Sequence, residues 1–455
     1  MLDLGLLGFV AMFLAFGLKR PFIWVLAYIY IDCVAPQKIG WGLIQAIPLS
    51  LIAFVAAFGG WLLFDRKQGT RFTLRQAMIA VLLLYCAYTT TIADFPVNAL
   101  AKWGWVWKAL LFAIFLPLTL RTRLRFEATA LIMVLALGTI VINGGVKTAL
   151  GGGGYGTLAL LVRENAGLYE GSILSTAAVA TIPLALWLAR HGTIFKPDWR
   201  VWTFVAGLIF ACLLIPVGTA ARTGLLCAAL LAVLMLRSAR HRFLYAGIGA
   251  LALVLAVPFL PQSYLARMNT IQGHSEDESA STRVAVWMWT LDYVKMHPFG
   301  GGFDAYRSNS FTYKMPKITG SPGNEQVTYE MVTDKARAYH SSYFEMLGEQ
   351  GWPGLILWIS LQLLGVWQME RIRWRFKRTE EGTRSWQWGL ATALQQAQLI
   401  YLLGAAFVGI AYLPYMFMLV GMQCGLWSYD KRTAREAPKA SFRRSTPADA
   451  VPAGA

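Results

Sequence analysis

Charged side chains are scarce in this 455-residue chain. They make up 14% of it, where soluble domains carry about 25%. Acids are the rarer sign, with 24 Asp and Glu against 41 Lys and Arg. Hydrophobic residues fill 56% of the chain and the mean hydropathy is +0.49, which excludes an ordinary soluble domain. The alternating ten-residue pattern of an outer-membrane barrel is also missing. The long apolar runs therefore predict membrane-spanning helices. The first run has no basic n-region and no cleavage site, so no removable signal peptide is expected. Five cysteines (Cys33, Cys86, Cys212, Cys227 and Cys424) lie in or beside apolar runs, and none forms a C-x-x-C pair. That leaves neither a metal site nor a disulfide framework. The glycine tetrad at 151–154 lacks the lysine and helix of a phosphate-binding loop and reads as a lid or linker. Glu276, Asp277 and Glu278 read as solvated carboxylates, not a metal cage. No metal and no cofactor is expected.

The formal net charge of +17 invites a nucleic-acid partner, but the distribution argues against one. Apolar runs occur near 3–18, 21–35, 43–64, 76–93, 103–120, 126–143, 171–190, 200–216, 219–236, 243–260, 352–370, 388–410 and 412–429. Every second connection is basic, and these connections with the tail hold 27 of the 41 basic residues. Such one-sidedness sets membrane orientation, with the basic side cytoplasmic. The fold class expected is all-α: a polytopic transmembrane bundle of about 12–14 spans. It divides into an N-terminal bundle over 1–260, a periplasmic loop over 261–351, C-terminal helices over 352–430 and a disordered basic cytoplasmic tail over 431–455. No tandem repeat is present.

The long loop carries the chemistry. Ser281 is placed to cap a helix over 282–296, with Val284, Trp287, Met288, Leu291 and Val294 on one face. Pro298 ends it, Gly300, Gly301 and Gly302 form a turn, and 304–334 reads as polar and irregular. His340 precedes a short amphipathic helix in which Ser342 and Glu345 read as a capping box. Gly351 with Pro353 stops that helix before the next span. A helix N-terminus attracts anions, so a titratable imidazole there points to chemistry on a lipid-linked anion. Arg222, at the outer edge of span 219–236, would be costly unless it faces a cavity or an anion. Arg283, in the first turn of its helix, also calls for a negative partner. Arg163, in LVRENAGLYEGS, is a further candidate anion contact on the same side.

The run from STRVAVWMWTLDYVKMHPFGGGFDAY to AYHSSYFEMLGEQGWPG resembles the periplasmic loop of the O-antigen ligase and polymerase superfamily. Arg283, Trp287, Pro298, Gly300, Gly302, His340, Glu349, Gly351 and Gly354 carry the likeness. GTAARTGLL is similar to that superfamily's Ser-Arg-Thr-Gly element, with Arg222 at its arginine. Ser341 stands where asparagine is usual, and Ala221 where serine is usual. GLKRPFIWVLAYIYIDCVAPQKIGWG, INGGVKTALGGG and RENAGLYEGS resemble the O-glycosylation ligases that accompany exosortase systems.

The resemblance implies a metal-independent, inverting glycosyltransferase. Its donor would be a glycan on undecaprenyl pyrophosphate, and its acceptor a hydroxyl on a lipid, glycan or protein. Arg222 and Arg283 would hold the pyrophosphate. His340 would orient or deprotonate the acceptor, and Arg163, Trp287 and Ser341 would complete the substrate site. Membrane lipids are the remaining partners, and nucleic acid is not one. An O-antigen polymerase, a protein O-oligosaccharyltransferase and a non-enzymatic lipid-glycan transporter are the alternatives. The unusual charges gather on one face, which favours a one-sided enzyme over a transporter.

Overall fold

The computed structural model describes residues 2–65, 67, 71–152, 158–162, 166–237, 241–244, 247, 278–319 and 326–436. Fourteen α-helices lie in these residues: α1 Leu2–Lys19, α2 Phe22–Val34, α3 Pro36–Ile39, α4 Leu49–Phe64, α5 Leu74–Thr91, α6 Pro96–Thr119, α7 Arg123–Ala149, α8 Gly171–His191, α9 Trp199–Gly218, α10 Arg222–Leu236, α11 Glu278–Met296, α12 Ser342–Lys377, α13 Trp386–Ala405 and α14 Pro414–Glu436. Five helical stretches among the described residues are long and apolar enough to cross a membrane, and α4 and α10 are shorter apolar helices. The chain is a multi-pass helical membrane protein. Residues 248–260 of the expected span 243–260, Arg163, Glu276, Asp277 and the tail beyond 436 lie outside the described residues.

Local chemistry sets many helix starts. Thr73 and Gln76 form a reciprocal capping box at α5. Glu170 caps α8 through Ile173 N at 2.7 Å, and Asp198 caps α9 through Val201 N at 2.9 Å. At the centre stands α8, with 89% of its apolar window buried. Small residues let its neighbours approach: a Cβ added to Gly404 of α13 would stand 2.3 Å from Thr176.

The two ends of the bundle differ in chemistry. At one end Arg125 pairs with Asp65 at 2.6 Å, and Arg375 pairs with Asp430 at 2.7 Å. There too Arg432 donates to the Arg121 carbonyl at 2.6 Å, and Arg123 to the His191 carbonyl at 2.7 Å. The basic connections thus gather together. Arg75, counted with them in the sequence, is instead fully buried in α5, where its Nη2 donates to Gln423 Oε1 at 2.9 Å. Gly365 makes room for it, since a Cβ there would lie 2.4 Å from Nη2.

At the other end the loop segment folds over the bundle, and here the structure corrects three expectations. First, α11 begins at Glu278, before Ser281, so Arg283 is past the first turn. Its buried face is Val286, Thr290 and Val294, while Val284 and Met288 are exposed. Second, 304–334 is not irregular: β1 Ser310–Thr319 and β2 Gln326–Lys335 form an antiparallel hairpin, in register from Ser310↔Lys335 to Thr319↔Gln326. Phe311, Tyr313 and Met315 alternating with polar neighbours favour that pairing. Third, Ser342 and Glu345 form no capping box. Ser341 is the N-cap without a side-chain bond, and the Ser342 hydroxyl accepts from Ile410 N at 2.8 Å and donates to Val408 O at 2.8 Å. The expected stop at Gly351 holds: its non-helical backbone (φ 63, ψ −167) divides α12 into two helices that meet at a kink, the short segment from Ser342 and the span that follows.

Candidate active site

The glycine turn and the break in α12 are built for each other. A Cβ on Gly300 would lie 2.5 Å from Glu349 O, and one on Gly351 would lie 2.2 Å from Pro298 O. With side chains absent, backbone bonds join the two segments: Gly301 N to Gly348 O at 3.0 Å, Gly302 N to Glu349 O at 2.9 Å, and Trp352 N to Pro298 O at 3.0 Å. Tyr85 and Asp94 tie the turn to the bundle. Tyr85 Oη donates to Phe299 O at 3.0 Å, and Asp94 N donates to Gly301 O at 2.9 Å.

This docking leaves a cavity of about 730 Å³ at the end opposite the basic connections. Arg222, Arg283 and His340 all line it, although the sequence separates the first from the last by more than a hundred residues. Arg222 opens α10, so the positive end of that helix borders the cavity. Ala220 (φ 49), Asp304 (φ 60) and His340 (φ 47) hold left-handed backbone at or beside the rim. Each costs about 1–2 kcal/mol, and such strain persists where the surroundings over-determine it.

His340 has two such supports. Trp287 Nε1 donates to Tyr339 O at 2.8 Å, and its ring stacks on Phe344 with centroids 5.0 Å apart. Asn309 closes the hairpin base: its Nδ2 donates to Arg337 O at 2.8 Å, and its Oδ1 accepts from Arg337 N at 2.9 Å. The first contact fixes the peptide just before the imidazole, and the second anchors the chain three residues ahead of it. The ring is open to the cavity on one side. Protein burial on the other, then the guanidiniums of Arg283 and Arg337, hold its pKa below the usual 6.5. His340 is therefore neutral at physiological pH and able to accept a proton.

The floor of the cavity escaped the sequence reading. Lys102 of α6 donates to Glu345 Oε1 at 2.7 Å and to both Glu349 oxygens at 2.8 and 3.0 Å. It also lies 3.9 Å from Asp304 Oδ1. Glu349 is fully buried and accepts Asp304 N at 2.9 Å, and Glu345 Oε2 accepts Ala411 N at 3.1 Å. Burial pushes the Glu349 carboxyl up to about 8, against the pull of Lys102. One lysine thus ties α6 to the first part of α12 and to the Asp304 turn. The sequence hid it because span 103–120 seemed to begin after it, whereas α6 starts at Pro96.

Of the sequence candidates, the structure brings together Arg222, Arg283 and His340. Trp287 and Ser341 do not line the cavity: Trp287 supports the backbone before His340, and Ser341 is buried at the start of α12. Asn98, Trp105, Glu170 and Tyr306 are lining residues the sequence did not mark.

Residues 207–359 match the family described as O-Antigen ligase. Residues 1–193 match a family of unknown function (DUF5935). No curated protein matches the chain. The first match includes Arg222, Arg283, His340 and Glu349, while Lys102 and Glu170 belong to the second. The match makes residues 207–359 similar to the O-antigen ligase superfamily, whose description suggests a membrane glycan-transfer role.

Proposed function

We propose that this protein transfers a glycan from undecaprenyl pyrophosphate to an acceptor hydroxyl, without metal or cofactor, on the periplasmic face of a bacterial inner membrane. The observation that carries the reading is the convergence of Arg222, Arg283 and a neutral His340 on one cavity. The two guanidiniums bind the pyrophosphate and stabilise the charge that grows on it as the bond to the anomeric carbon breaks. His340 accepts the proton of the acceptor hydroxyl while its oxygen attacks that carbon from the opposite face, inverting it. The cavity falls within the range typical of small-molecule sites. The acceptor hydroxyl belongs to a lipid, a glycan or a protein. A protein acceptor suits the likeness of the N-terminal half to the O-glycosylation ligases of exosortase systems.

The test is reconstitution of the purified protein in liposomes with a synthetic lipid-linked glycan, in excess chelator. Transfer should proceed and release undecaprenyl pyrophosphate. A requirement for Mg²⁺ or Mn²⁺, restored on adding the ion, would refute the arginine-based mechanism.

A further inference from the structure

A second cavity, of about 480 Å³, opens between α10, α12 and α13 at the end where the basic connections gather. It is remote from the first. The two open at opposite ends of α10, a helix of 15 residues, or about 22 Å of rise.

Its walls are of two kinds. Leu234, Leu363, Val366 and Leu399 form an apolar slot, and Trp367 and Trp374 stand at its side. Leu363, Trp367 and Trp374 are 61%, 52% and 58% exposed, so this slot opens outward and is not part of the packed core. Arg237 and Arg373 supply positive charge. Glu370 is the one carboxylate in the lining, and Arg373 Nη1 already holds it at 2.5 Å while donating to Gln395 Oε1 at 2.7 Å. The lining keeps a net positive charge. Moreover, Arg373 Nε is buried with no hydrogen-bond partner among the described residues. A buried guanidinium N–H without an acceptor costs free energy that an anionic oxygen would recover.

An apolar slot, exposed tryptophans at its side and arginines at its polar end match a lipid in both shape and charge. Basic pockets between helices on the cytoplasmic side are where anionic headgroups bind. We propose that this cavity is a specific site for an anionic phospholipid such as phosphatidylglycerol or cardiolipin. The phosphodiester meets Arg237 and Arg373, and one acyl chain lies along Leu363, Val366 and Leu399.

Native mass spectrometry of the purified protein with equal amounts of phosphatidylglycerol, cardiolipin and phosphatidylcholine tests this. The wild type should retain anionic lipid in preference to phosphatidylcholine. Arg237→Gln, an exposed position, should weaken that retention about fivefold, the effect of one basic residue near a charged headgroup. Leu399→Trp, which fills the slot, should weaken it without altering charge. Arg384→Gln, at an exposed position outside the lining, should change nothing. Equal retention of the zwitterionic lipid, or full retention by both Arg237→Gln and Leu399→Trp, would overturn the proposal. So would the absence of any bound lipid.

Discussion

Replacing Lys102 with methionine tests how the site is held. The ammonium lies 2.7 Å from Glu345 and 2.8 Å from Glu349, with side-chain exposures of 13%, 10% and 0%. At an effective dielectric of about 20, one such contact is worth about 6 kcal/mol of direct attraction, before the cost of desolvating both partners. Removing one member of a buried pair typically costs about 3–5 kcal/mol, because the other is left without compensation. Glu349 has a way to limit that loss. Its folded pKa is raised from 4.5 to about 8, so the folded state retains a proton that the unfolded chain releases. Its contribution to stability therefore declines as pH rises from about 4.5 to 8 and levels off above. Without Lys102 the folded pKa rises further, and the decline continues to higher pH. The variant should lose about 3–5 kcal/mol at pH 9 and less at pH 6, where Glu349 carries its own proton. Denaturant unfolding in mixed micelles at the two pH values measures this. Adding Glu349→Gln to the variant should restore part of the loss at pH 9. A Lys102→Met protein within about 1 kcal/mol of wild type at pH 9, or an equal loss at both pH values, would refute the reasoning.

Arg222→Ala and Arg283→Ala should each abolish transfer while membrane levels stay near normal, each losing roughly 1.5–3 kcal/mol or more of pyrophosphate contact. Lysine at either position should rescue only in part, since it lacks the planar fork. Near-normal turnover by either alanine variant would remove that arginine from the site. His340→Ala should lower turnover by about 10²–10⁴-fold while donor binding survives. Activity of the wild type should hold at pH 7 and fall only below 6.5, because burial and the two arginines lower the histidine's pKa and the protonated ring cannot accept a proton. Lost donor binding with unchanged saturated turnover would make His340 a phosphate ligand instead. The five native cysteines are all buried, so single cysteines report orientation cleanly. Thr312→Cys should react with an impermeant reagent in outer-membrane-permeabilised cells, and Glu380→Cys should not.

The membrane class, most of the helices and the three residues that meet at the cavity are legible because each leaves a local mark. A run of apolar residues, an arginine at a span edge and a histidine before a helix can all be read without a partner. Lys102 left no such mark. Its carboxylates lie more than two hundred residues away in sequence, and an isolated lysine beside an apolar run looks like an interface residue. The capping box failed for the same reason. The local pattern at Ser342 and Glu345 is right, but Ile410, Ala411 and Lys102 compete for the same oxygens and prevail. The motif implies a substrate contact for Trp287, whereas its indole N–H is spent on the Tyr339 carbonyl. The hairpin leaves little mark in the sequence because a two-stranded ribbon needs no continuous apolar face, and its alternation is short and diluted by lysines and threonines.

Asn309 gives that ribbon an unusual independence. By bonding both the carbonyl and the N–H of Arg337, it closes the base at the level of the first strand pair. Everything beyond the closure is an arm whose length does not enter the position of His340. Removing one residue from each strand in matched pairs, two pairs at a time, preserves both register and facing. The arm is therefore free to be lengthened, shortened or re-lettered among related chains while the chemistry at its root stays fixed. Variation in what such proteins accept can accumulate there without a new catalytic site having to be assembled.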